Sequence, residues 1–137
     1  IEQRVIFTGF LPHEYLRDLI AVSDIPLAPS IFPEAFGLVA VEALASGVIP
    51  MQTNHSAFTE IVNQYKEVFR YLFPEGGLRT LVLDENLVLN IAGNMNMFMN
   101  LYAGLDAERR QEIRRRAREK ALEFSWETMA RHYIDLV

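Results

Sequence analysis

Cysteine is absent from the 137 residues. Its absence excludes disulfides, thiolate metal sites and cysteine nucleophiles together, and a chain built without it suits a reducing, cytoplasmic compartment. Long hydrophobic runs are missing too. None reaches the roughly 18 residues a membrane-spanning helix needs, and Ile1-Glu2-Gln3-Arg4 lacks the basic-then-apolar order of a secretory signal. Glycine and proline are sparse at 7 and 6 while 50% of residues are hydrophobic, which excludes a flexible tail. An excess of positive charge is also lacking: the net charge is −5, so no nucleic-acid partner is expected. His13, His55 and His132 show no metal-ligand spacing and are expected at the surface or as caps, with no metal bound. The first residue is not methionine and an apolar run starts just after it, so the chain is expected to be part of a longer protein. What remains is the composition of one globular domain over residues 1–137.

Val5-Ile6-Phe7-Thr8, stopped by Gly9, reads as a buried strand, and a helix after Pro12 should carry Tyr15, Leu16, Leu19 and Ile20 on one face. Ile25-Pro26-Leu27-Ala28 is a second strand, with Pro26 withholding one N–H. Residues 36–45 form an apolar, buried helix ended by Ser46-Gly47. Residues 48–52 are a third strand, and Ser56 caps a short helix bearing Phe58, Ile61 and Val62. Beyond Asn63 the periodicity weakens, a turn is expected at Pro74-Glu75-Gly76-Gly77, and residues 81–83 offer a fourth strand. Asp84 is the expected cap of a helix with Val88, Ile91, Met95, Phe98 and Tyr102 inward. Met95 and Met99 are expected core fillers. Asp106 and Ser125 should cap helices near 107–123 and 126–136, the last packing through Trp126, Met129, Tyr133 and Leu136. Strands alternating with helices give the class α/β, a partial Rossmann-like three-layer domain with parallel strands and C-terminal helices. Ligands in such sheets bind beyond the carboxyl ends of the strands.

The stretch from Pro29 to Gly47 carries the chemistry. If the strand ends near Ala28 and the helix starts near Phe36, Glu34 lies in the loop over the sheet edge. The amides of Phe36, Gly37 and Leu38 then sit at a helix N-terminus, where free donors and the positive dipole end suit a phosphate. Glu42 stands on an otherwise apolar helix, and an ionised carboxylate there needs polar partners. A pair of ribose hydroxyls would supply them. A salt bridge to an arginine, or access to solvent at the domain edge, would serve as well.

Pro29-Ser30-x-x-Pro33-Glu34-x-Phe36-Gly37-Leu38-Val39-x-x-Glu42-Ala43-x-Ala45-x-Gly47 closely resembles the signature of glycosyltransferase family 4, retaining enzymes of the two-Rossmann-domain GT-B architecture. The likeness extends to Val5-x-Phe7-x-Gly9, Asp24, Thr59-Glu60-Ile61-Val62 and Phe124-Ser125-Trp126. It implies a partial C-terminal donor-binding domain. Glu34 would hold hydroxyls of the donor sugar, Glu42 the ribose, and the backbone amides of Phe36, Gly37 and Leu38 the diphosphate, with Leu11 flanking the base. The implied reaction moves a sugar from a nucleoside diphosphate to an acceptor hydroxyl with retention, by positioning and charge stabilisation. The leaving phosphate helps to remove the acceptor proton. No residue here is assigned as catalytic, and no cofactor is implied.

Two departures from that family bear on the expectation. Asn54-His55-Ser56-Ala57 stands where a Gly-Gly loop is usual. Two βα units carrying an Arg and a Lys for the diphosphate, and a second domain with the acceptor site, have no counterpart in these residues. The isolated chain is therefore expected to be inactive. Without those units the sheet has a gap between residues 5–8 and 25–28. The first run should then pair directly with a neighbour, exchange between chains, or pack without sheet partners, and self-association through an exposed edge is expected. The basic cluster from Arg109 to Lys120 interleaves with Glu108, Glu112, Glu119 and Glu123, and Glu112–Arg116 and Arg115–Glu119 lie four apart, as on a solvated helix face. Contact with a membrane surface is a further expectation, since many relatives act on lipid-linked acceptors. The alternative function is a non-catalytic nucleotide-sugar-binding or assembly module.

Overall fold

The computed structural model describes residues 4–70 and 81–135. The helices are α1 (His13–Val22), α2 (Leu38–Ala45), α3 (Ala57–Arg70), α4 (Leu87–Ala103), α5 (Ala107–Ala121) and α6 (Trp126–Ile134), with a 3-10 turn at Leu122–Phe124 before the last. Strands β1 (Leu27–Ala28) and β2 (Met51–Gln52) pair in parallel, Leu27 opposite Met51 and Ala28 opposite Gln52. A parallel bridge from Thr53 to Leu81 continues the sheet on the far side of β2. Parallel neighbours need a crossover, and α2 supplies it, so β1–α2–β2 is a βαβ unit. The chain is thus mostly helical around a small parallel sheet, a partial α/β Rossmann-like domain. Pro26 is tolerated before β1 because the ladder uses its carbonyl: Met51 N–H donates to Pro26 O at 2.9 Å.

The main core gathers Leu44 of α2, Met51 of β2, Phe58, Ile61, Tyr65 and Phe69 of α3, Leu81, Phe98 of α4, and Ile113 and Ala117 of α5. A smaller cluster of Ile20, Ala43 and Val48, with Leu16 against it, joins α1 to α2. Helix α5 packs most extensively against α2, and its arginines fasten other helices by their ends. Arg114 donates to Ala21 O in the last turn of α1 (3.0 Å), and Arg118 to Ser46 O at the end of α2 (3.3 Å). Arg110 donates to Ala103 O and Leu105 O after α4 while its guanidinium lies 5.0 Å from the Tyr102 ring centre. Cations at helix C-termini satisfy the carbonyls left without intrahelical donors.

Several expectations need correction. Residues 5–8 form no strand and are not buried: Phe7 is 93% exposed. An apolar run folds into a sheet only where a neighbour offers a ladder, and among the described residues none pairs with it. Helix α2 begins at Leu38 rather than Phe36, and its first turn is open, with Leu38 and Val39 exposed. Helix α3 is not short but runs 14 residues, with Tyr65 and Phe69 continuing the apolar face past Asn63. Asp84, expected as the helix cap, instead closes the turn before the helix, accepting from Asn86 N–H at 2.8 Å, while α4 itself starts at Leu87 with Asn86 as its N-cap. Val88 and Met99 point outward, as do Tyr15 and Leu19 of α1. Trp126, expected in the core, is 91% exposed, and Tyr133 is exposed with it. Val82 and Leu83 are exposed and outside the sheet, leaving Leu81 as the pairing residue. The turn at residues 74–77 and Leu136 lie outside the described residues.

The local signals of the C-terminal half hold. Asp106 accepts from Arg109 N–H at 2.7 Å and Ser125 from Thr128 N–H at 3.2 Å, each capping its helix. Glu112 pairs with both Arg115 and Arg116, and Arg115 also reaches Glu119. This is the charge-laced face expected of the basic cluster.

Candidate functional site

The loop from β1 to α2 closes on Gly37, which caps the helix in the left-handed region at φ 79°, ψ 42°. A Cβ there would lie 2.7 Å from Cδ1 of Phe58 and 3.0 Å from Cδ1 of Ile61. Only glycine lets the chain turn into α2 against α3 at this distance. Leu38 opens the helix, so its amide belongs to the first turn; Phe36 precedes the cap.

A hydrogen-bonded relay fixes the rest of this loop. His55 Nε2 lies 2.8 Å from Ser30 O and Nδ1 lies 2.7 Å from Ser56 Oγ. A carbonyl can only accept, so Nε2 carries the proton, and in the neutral ring Nδ1 accepts from the Ser56 hydroxyl. Ser56 Oγ in turn accepts from Glu34 N–H at 3.1 Å, and Ala57 N–H donates to Glu34 O at 3.3 Å. Thr53 Oγ1 donates to Ser30 O at 2.7 Å. Thr53 and the Asn54–Ala57 stretch that follows it thus bind the loop that carries Glu34. His55 is a tie between two loops rather than a surface residue. It is joined to Ser30 across 25 positions, a pairing with no trace in local spacing.

Glu42, in the second turn of α2, keeps a third of its side chain exposed, at 33%. Its Oε1 lies 3.4 Å from Nε2 of His13, the first residue of α1. The two helices enclose a cleft of about 460 Å3 lined by His13, Leu16, Arg17 and Ile20 on one side and Glu42, Ala45 and Ser46 on the other, with Glu14 at its margin. Its wall is largely apolar, with the carboxylates of Glu42 and Glu14, the His13 imidazole, the Arg17 guanidinium and the Ser46 hydroxyl as its polar groups. Arg17 is engaged with Asp18 at 2.9 Å, and among the described residues Glu42 pairs with no arginine. His13 and Arg17 escaped the sequence reading because nothing local ties α1 to α2.

The expected site residues are therefore not enclosed in one cavity. Glu42 lines the α1–α2 cleft, whereas Phe36 lines a second groove against α3 and α6. Glu34 and Leu11 are half-buried and line neither, and Gly37 is buried. Among the described residues no group of three or more His, Asp or Glu converges as metal ligands, and no helix is long and apolar enough to cross a membrane.

The family model for glycosyl transferases group 1 matches residues 1–120. An uncharacterised glycosyltransferase of Methanocaldococcus jannaschii is 32% identical over 62 residues, a match covering 45% of this chain and 16% of that protein. A family model that matches residues 1–120 of the 137 places the chain in the group 1 glycosyl transferases.

Proposed function

We propose that this chain is a partial C-terminal donor-binding domain of a retaining glycosyltransferase of family 4, serving transfer of a sugar from a nucleoside diphosphate to an acceptor hydroxyl. Family membership and the Glu42 cleft support the reading. In it, Glu42 accepts hydrogen bonds from the ribose hydroxyls, and Leu11 flanks the base. The backbone at Phe36, Gly37 and Leu38 meets the diphosphate, where the first turn of α2 leaves donors and positive dipole facing outward. Glu34, held through its own N–H and C=O by Ser56 and Ala57, orients the donor sugar. These residues bind and place the donor; none is a nucleophile. Charge developing on the departing phosphate is stabilised at the helix terminus, and that phosphate takes part in removing the acceptor proton. The cysteine-free composition suits a cytoplasmic setting.

The observation that carries the reading is the carboxylate of Glu42, unpaired with any arginine or lysine among the described residues, on the wall of a largely apolar cleft. Arg17 is the cation on that wall, and it already serves Asp18. A diphosphate needs more compensating charge, so these residues alone bind weakly. Amide NMR titration with UDP, GDP and ADP should move signals of residues 13–17 and 38–46. Glu42→Ala should weaken the preferred nucleotide about tenfold, the effect of hydrogen bonds to a charged group. Equal affinity in wild type and Glu42→Ala would overturn the ribose assignment, and micromolar affinity would overturn the argument about missing cations.

A further inference from the structure

Among the described residues the Glu42 carboxylate has one polar partner, and it comes from another helix: Nε2 of His13 stands 3.4 Å from Oε1. That is long for a hydrogen bond from a neutral ring, whose N–H groups donate over about 2.7–3.2 Å. It is short for a charge pair, whose attraction falls only gradually with separation. The contact therefore holds little while the imidazole is neutral and tightens once the ring gains its second proton. Histidine is the side chain that ordinarily changes charge between about pH 5 and 8, and His13 is the histidine on this wall. The charged groups around it are Glu14 and Arg17 on its own helix and Glu42 on α2. Arg17 already serves Asp18. From α5, Arg114 reaches Ala21 O and Arg118 reaches Ser46 O, so both are committed to backbone carbonyls.

We propose that His13 is a positioning residue that acts through Glu42. Protonated, the ring holds Oε1 toward the start of α1. Neutral, it lets go, and both carboxylate oxygens are free to accept from a pair of neighbouring hydroxyls. Below the histidine range a ribose must break a charge pair to reach Glu42; above it the same hydroxyls displace water and a weak contact. The cleft therefore takes a ribose better at the alkaline end. The His13 side chain is 82% exposed, so it gains and loses its proton without disturbing the core, and water limits the strength of the pair. The consequence for ribose rests on the donor reading; the contact between His13 and Glu42 does not.

Amide NMR of the ligand-free chain tests the contact first. Between about pH 8 and about pH 5.5, signals of residues 41–46 should move in the wild type and stay in place in His13→Gln, whose side chain does not titrate. Signals around His55 and His132 should respond alike in both proteins. The best-bound of UDP, GDP and ADP should then bind the wild type about threefold more weakly at the lower pH, beyond any change in His13→Gln, the size of an exposed ion pair. Titration of the phosphates themselves is common to both proteins and cancels in the comparison. Equal pH dependence in the two proteins overturns the proposal, as do residue 41–46 signals indifferent to acid in the wild type. Wild-type binding that strengthens toward acid relative to the variant also overturns it, since the charged ring would then be meeting the diphosphate. A ligand-free response abolished by His13→Gln, with no nucleotide bound at either pH, would uphold the contact and bring down the donor reading instead.

Discussion

At the scale of single residues, Gly37 joins the backbone requirement of a helix cap to a steric one. A side chain there would adopt a left-handed backbone at φ 79° and push into the Phe58 ring, which is itself buried. The two penalties together make Gly37→Ala destabilising by about 2–4 kcal/mol. Gly104 supplies the contrast: its backbone is right-handed and an added Cβ would find its nearest neighbour at 3.5 Å, so Gly104→Ala is expected to be neutral or slightly stabilising. Urea denaturation of both variants checks this, and equal midpoints would show that neither constraint acts. The loop-to-helix turn that carries Glu34, Gly37 and Glu42 was legible because it falls in one short string whose geometry is local. His13 beside Glu42 and His55 beside Ser30 were not. Each belongs to a pairing made only when separate helices and loops pack.

At the scale of elements, α5 carries its acidic partners on the surface. Hydrogen bonds from Arg115, then Arg116, lower the Glu112 carboxyl from its ordinary 4.5 to about 2. A carboxylate whose folded value is depressed adds stability above its unfolded value, and that contribution is lost as pH falls from about 4.5 toward about 2. The pairs are solvent-exposed, so the effect is small and screened by salt. Carbon-detected titration should place the Glu112 midpoint near 2 at low ionic strength and move it upward in Arg115→Ala; an unchanged midpoint in the variant would refute the pairing as its cause. This helix was readable in advance, since its cap at Asp106 and its pairs at three and four residues are all local. Helix α3 was only half readable. Asn63, Gln64 and Lys66 mask a face that Phe58, Ile61, Tyr65 and Phe69 continue without a break. The apolar run at residues 5–8 and Trp126 misled for a different reason: hydrophobicity states what a residue could bury, and only a packed neighbour makes it do so.

At the scale of the whole molecule, β1 is the edge of the sheet among the described residues: it pairs with β2 on one side, and the sheet continues at Thr53–Leu81 on the far side of β2. Val5, Ile6, Phe7 and Phe10 are exposed as well. An open edge and an exposed β-prone run in one chain favour association. Sedimentation velocity should show mass rising with concentration and Phe7→Lys should suppress the rise; a monomer at every concentration would exclude self-association.

The arginines that Arg110, Arg114 and Arg118 represent grip carbonyl oxygens, which have no proton to gain in ordinary acid. Souring the solution therefore dissolves the Glu112 lattice while leaving these three moorings intact. The first acid intermediate should be a molecule with a loosened skin around an undisturbed frame, its α1, α2 and α4 still berthed on α5.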